Sequence, residues 1–196
     1  MSAKPLEVAQ NLDEVSRLAL MYAPNSARDA WAALLLLDRR LAESAPSGRE
    51  PLMIQIRLAW WRDRLLEDSA AWPSSKPVLQ CLRAWNGQHK SLVGLVDGWE
   101  AAVIGEDGGA DLRAARVEAF VALARLLGVS RLDAVREVAL QTVDPERRAL
   151  ARHRMPRSMR PLAVLRTFAQ LDAAQDKKNR ALLDMMRIVR AGMLGW

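Results

Sequence analysis

Apolar residues recur at three- and four-residue steps along almost the whole of this chain, and no stretch alternates with period two for long enough to make a strand. That pattern restricts the fold to helices packed on helices, an all-α bundle. The chain has 196 residues, 51% of them apolar, enough for one domain spanning 1–196. A domain of this length buries roughly 70% of its unfolded surface, so it needs no metal or disulfide to build a core.

The expected helices follow from the spacing. Leu6 to Tyr22 reads as the first, with Val8, Leu12, Val15, Ala19 and Tyr22 on one side and Pro24 as its stop. Ser26 followed by Asp29 resembles a capping box, opening a helix whose center, WAALLLLDRRL, is apolar nearly all round and is expected to be buried. After SAPSGREP comes PLMIQIRLAWWRDRLLEDS, with Leu52, Ile56 and Trp60 on one side and Ile54, Leu58, Trp61 and Leu65 on the other. Two apolar sides predict a central helix sandwiched between layers. Shorter helices are expected over Val78 to Trp85 and from Leu92 to Val103. Leu112 to Leu127 and Leu132 to Val143 follow, with Gly128 as the stop between them and Ser130 as a cap. Two amphipathic segments, Ser158 to Ala173 and Lys177 to Met193, complete the chain.

Charge is divided unevenly. Residues 1–146 carry 17 basic and 20 acidic side chains, whereas the quarter from about 147 carries 12 basic and 3 acidic ones. Its densest part, ERRALARHRMPRSMR, holds Arg147, Arg148, Arg152, Arg154, Arg157 and Arg160 with Met155 and Met159. Such a segment suits an anionic membrane surface, where each basic residue near the lipid is worth about 1 kcal/mol. An acidic protein patch or nucleic acid is also anionic, and a solvated arginine-rich face explains the same residues. No helix-turn-helix spacing or aromatic stacking platform accompanies the arginines, which disfavours nucleic acid.

Cys81 is the lone cysteine, so no disulfide framework exists, and a reducing, cytoplasmic location is expected, with attachment to a membrane face an open addition. MSAKPLEVAQNLDEV lacks the apolar run and cleavage site of a secretory signal. The longest apolar stretch, Ala30 to Leu37, is far short of the roughly 20 residues that span a bilayer.

Polar constellations offer little chemistry. Asp63 with Glu67, Asp133 with Glu137, and Asp172 with Asp176 have helical pair spacing. The first pair continues the stripe of Ile56 and Trp60, which would aim it at a cavity; ion pairing with Arg62 or Arg64 is the plainer reading. Arg57, Arg62 and Arg64 beside Trp60 and Trp61 match an anion site lined by guanidinium forks and indole faces, or buried tryptophans with arginines reaching to solvent. His89 and His153 have no cysteine or carboxylate partners at zinc spacing, and neither a nucleophile elbow nor a phosphate-binding glycine loop is present. No catalytic residue and no metal ligand is therefore assigned.

The segments YAPNSARDAWAALLLLDRRL, REPLMIQIRLAWWRDRL, LVDGWEAAV and RPLAVLRTFAQLDA together resemble the divergent bacterial branch of the squalene/phytoene synthase family, with IRLAWWRDRL after REP the most specific piece. The resemblance implies a shortened isoprenoid-synthase bundle. In catalytic members two aspartate-rich helices hold substrate diphosphates through Mg²⁺, a hard ion that takes carboxylate and phosphate oxygens. Here Asp38 and Glu43 lie five residues apart with arginines between them, and Ala102 stands where an aspartate is usual. Only Gln141 and Asp144 answer to the second motif, and Pro145 interrupts that helix. The family also includes members associated with respiratory-complex assembly rather than prenyl transfer.

The expected function is accordingly a non-catalytic relative, a peripheral membrane or assembly-type scaffold or lipid-binding protein that uses its surface and no cofactor, with a protein partner as a further possibility. The alternative is a prenyl transferase that binds prenyl diphosphate, with Mg²⁺ as its cofactor. That alternative requires a deep apolar cavity beside Trp60, with Asp63, Glu67 and arginines at its mouth. A binder of nucleic acid or of an acidic protein surface is the third reading.

Overall fold

A computed structural model describes residues 9–46, 50–105, 108–147, 153–174 and 181–196. Among them are nine α-helices and no strand. They are α1 (Glu14–Met21), α2 (Asn25–Ser44), α3 (Pro51–Leu66), α4 (Pro77–Leu82), α5 (Val93–Ile104), α6 (Ala110–Leu126), α7 (Leu132–Val143), α8 (Arg160–Ala173) and α9 (Ala181–Leu194). Short 3₁₀ turns lie between several of them.

Local chemistry sets the helix ends. Asp13 caps α1 by accepting from the Ser16 N–H at 2.9 Å, so that helix begins at Glu14, inside the expected span, whose first residues, Leu6 and Val8 among them, lie outside the described residues. Ala9–Asn11 form a 3₁₀ turn ahead of it. Neither serine expected to cap does so: α2 follows Pro24 and α7 follows Arg131, both without a side-chain cap. Gly128 does end α6 as expected. At φ +70° it lets its own N–H reach the Arg125 carbonyl at 3.0 Å and the Val129 N–H reach that of Ala124 at 2.9 Å.

α2 is the central helix. It packs against α1, α3, α4, α5 and α6, and its apolar run buries Trp31, Leu34, Leu37 and Leu41. From α5 to α9 each helix lies against the next, and α1 returns to pack on α8, which joins the early and late parts of the chain around one core. The sandwiched position expected for α3 is not what forms. Ile54, Leu58, Trp61 and Leu65 are buried, but Leu52 and Ile56 are 58% and 55% exposed. The helix lays one face on the body, chiefly on α5, and leaves the other to solvent.

Indole N–H groups pin the layers together. Trp31 donates to the Ser158 carbonyl at 2.7 Å, Trp85 to that of Ala30 at 3.1 Å, and Trp72 to that of Arg64 at 2.6 Å. A buried donor left without a partner costs about 1–3 kcal/mol, so each of these bonds also selects a register between elements. His89, 2% exposed, stacks edge-on against Trp72 and bonds the Glu67 carbonyl at 3.0 Å. A carbonyl only accepts, which places a proton on His89 Nε2.

Candidate anion grooves and an exposed apolar helix face

The carboxylates that might have held a metal are engaged in the fold. Asp38 accepts from Trp99 Nε1 at 2.8 Å and from Arg116 Nε at 3.1 Å, and the Arg116 guanidinium lies 5.2 Å from the Trp99 ring centroid. This cluster ties α2 to α5 and α6. Glu43 pairs with Arg39 at 3.0 Å and Arg40 at 2.7 Å. Gln141 is buried and bonds Glu137 at 3.2 Å, while Asp144 lies beyond the end of α7. No group of three or more metal-ligating side chains occurs among the described residues.

A groove of about 600 Å³ does open beside Trp60, between α3, the end of α2 and the start of α4. Arg57 and Trp60 line it, together with Arg40 and Lys76. The Lys76 ammonium sits 5.5 Å from the Trp60 ring centroid, close enough for cation–π attraction. Its apolar wall is Ile56, Trp61 and Val78, while Leu58 and Leu65 of the same helix are buried in the core and do not line it.

The other residues singled out on α3 face elsewhere. Arg62 turns to α5, where it meets Asp97 at 2.6 Å and Glu100 at 2.5 Å, and these bonds raise its already high pKa. Glu67 pairs with Arg64 at 2.5 Å. Asp63 is exposed and, like Glu67, does not line the groove. Four of the five candidates on this stretch are thus split between an anion-compatible groove and ordinary ion pairs, and the fifth faces solvent. Sequence reasoning missed Arg40 and Lys76. The twin arginines after LLLLD were visible as charge, but nothing in DSAAWPSSKP marks Lys76 as returning to α3.

The basic C-terminal quarter is built into the fold rather than appended to it. Met155 and Met159, which stand among these arginines in the sequence, are buried. The Met155 N–H donates to the Gly195 carbonyl at 2.8 Å, and Arg154 Nε donates to the Leu194 carbonyl at 2.9 Å with its guanidinium 5.8 Å from the Trp196 ring centroid. Arg147, Arg154 and Arg157 are exposed and Arg160 is half-buried; Arg148 and Arg152 lie outside the described residues.

Two cavities of about 560 Å³ each share Arg157 and Arg160. One adds Arg131 and Arg154, the other adds Arg28 from the first turns of α2. Among the described residues no carboxylate lines either one. A third, of about 420 Å³, collects His153, Arg166, Arg187 and Arg190.

Beside them α9 exposes apolar side chains in helical register. Leu182, Met185, Met186 and Met193 share a face with the half-buried Val189, and the first three are 72%, 63% and 60% exposed. Ile188 and Ala191 hold the opposite face to the body. Gly192 lets Tyr22 press against the α9 backbone: a Cβ there would fall 2.3 Å from the ring. That close approach brings Met21, itself 73% exposed, to the same cavity rim as Met193. The amphipathic spacing of the last segment was legible beforehand; the contributions of Met21, Arg28 and Arg131 were not.

Protein-family models, curated proteins and solved structures were compared with the chain, and none matches. The class defined by fold and site is therefore that of a single all-helical domain with basic grooves beside an exposed apolar helix face. No described helix is long and apolar enough to cross a membrane.

Proposed function

We propose that this protein is a shortened, non-catalytic relative of the squalene/phytoene synthases that attaches peripherally to an anionic membrane face and serves there as a lipid-binding or assembly-type scaffold. The observation that carries the reading is the exposed α9 stripe of Leu182, Met185, Met186 and Met193, continued by Met21 and bordered by Arg28, Arg154, Arg157 and Arg160. An amphipathic helix with an apolar face and a basic border lies in the headgroup plane, its apolar side chains among the upper acyl segments. The charge complements anionic lipid and opposes a cationic surface. The family resemblance supplies the non-catalytic part, because Asp38 and Glu43, which fall where its first metal motif belongs, are held by Trp99, Arg116, Arg39 and Arg40.

Co-sedimentation with vesicles tests it. Binding to anionic vesicles, weak on neutral ones, is expected to fall with salt and to drop about fivefold for each rim arginine removed, the equivalent of roughly 1 kcal/mol apiece. The double change Met185→Ser and Met186→Ser should remove most of the remaining binding. A protein that ignores anionic vesicles, yet forms a dimer that the same double change dissociates, would instead assign the face to a second copy of the chain.

The Trp60 groove favours a second reading, capture of a prenyl diphosphate by Arg40, Arg57 and Lys76 in place of magnesium-bridged carboxylates. Farnesyl diphosphate binding that is indifferent to Mg²⁺ and lost in Arg57→Gln would support it. Binding that requires Mg²⁺ and disappears in Asp63→Asn would return the chain to the prenyl transferases.

A further inference from the structure

Several arginines elsewhere in the molecule have acidic partners. Arg39, Arg40, Arg62, Arg64, Arg116 and Arg136 each meet a carboxylate of their own or a neighbouring helix. Arg28, Arg157 and Arg160 do not: among the described residues none of the three is in an ion pair, though all three line one cavity of about 560 Å³ between the α1–α2 junction and the end of α9. The adjacent carboxylate, Asp29, does not line that cavity and acts electrostatically on Cys81 of α4.

Two of these guanidinium groups are also incompletely bonded. Arg28 spends one N–H on the Ala23 carbonyl at 3.1 Å, and its Nε is shielded from solvent without a partner. The Nε of Arg160 is likewise shielded and unpartnered. Like charges lining one cavity, two of them with a shielded Nε that lacks an acceptor, raise the energy of the protein. The arrangement is relieved by an anion with several acceptor oxygens, and the guanidinium fork fits the tetrahedral phosphate group best.

The rim decides where such a phosphate comes from. Met21 and Met193 stand at the mouth, the latter at the end of the exposed α9 stripe, so a phosphate seated on the arginines carries its apolar tail along that stripe. We infer that Arg28, Arg157 and Arg160 form a phosphate pocket for the headgroup of an anionic phospholipid. The inference rests on the membrane reading and deepens it from general charge attraction to recognition of one chemical group.

The experiment compares vesicles of equal negative surface charge, made so by phosphatidic acid or by oleate, each in phosphatidylcholine. Phosphatidic acid vesicles are expected to bind about tenfold tighter, as charge-assisted bidentate bonds to phosphate predict. Arg157→Gln with Arg160→Gln should abolish that preference, and Arg157→Lys should reduce it while keeping the charge. Met185→Ser with Met186→Ser should weaken both vesicle types alike. Circular dichroism confirms that each variant is folded.

Equal binding to the two vesicle types would overturn the pocket and leave the membrane reading intact. Absence of binding to either would end the membrane reading, and titration with inorganic pyrophosphate then decides the pocket by itself. Heat of binding lost in the double arginine variant would keep a phosphate site of soluble origin, and no heat in the wild type would remove it.

Discussion

Single side chains in this protein are held by bonds whose chemistry predicts their response to change. Cys81 sits in the core under α2, and burial, aided by the nearby Asp29 charge, pushes its thiol up to about 11. Only thiolates react readily, so native protein at pH 8 should leave a thiol reagent such as DTNB unconsumed, with one equivalent released on unfolding. Prompt native reaction would mean that the α2–α4 contact opens. Gly192 is a steric rather than a conformational requirement, because the Tyr22 ring occupies the place of any Cβ. Gly192→Ala is expected to cost about 1–3 kcal/mol as overpacking and to free α9 first. Amide exchange faster across 181–194 than across α6 would locate that loss.

At the scale of the element, α3 separates what periodicity conveys from what packing decides. Its two apolar stripes are real in sequence, yet only the one through Ile54, Leu58, Trp61 and Leu65 is covered. Leu58→Ala should cost about 2–5 kcal/mol in a denaturant melt, whereas Ile56→Ala should stay within about 0.5 kcal/mol. Similar losses at both positions would mean that the outer stripe is buried in solution by something outside this chain. The link between α6 and α7 is electrostatic at its edge: hydrogen bonding by Arg136, one bond at 3.0 Å, holds the Glu118 carboxyl below its ordinary value. A depressed acid stabilises the fold above its unfolded pKa and loses that contribution as pH falls through the folded one. The melting-temperature gap between wild type and Glu118→Gln should therefore be small but present at pH 7, the pair being exposed, and should close below the carboxylate range.

Across the whole molecule, basic charge and apolar exposure converge on one side from distant parts of the chain: Met21 and Arg28 from the start, Arg157 and Arg160 from the middle of the basic quarter, Met193 from the end. The helical class, the single domain, the stop at Gly128 and the amphipathic last helix were all readable from the sequence, because each rests on spacing or on one residue's backbone preference. Ser26 and Ser130 do not cap, since a suitable residue type caps only when the chain enters the helix at that residue, and here it enters two residues earlier at Pro24 and one residue later at Arg131. Half of the groove at Trp60 was legible; Arg40 and Lys76 were not, as their approach depends on how α2 and the start of α4 come to lie beside α3.

The sequence by itself determined the helices and the charge division, which are local sums over neighbouring residues. Only tertiary structure decided which apolar stripe is covered, which arginine finds a carboxylate and which ones come to line a common cavity. Those outcomes depend on distances between residues far apart in the chain, and helix periodicity does not encode them.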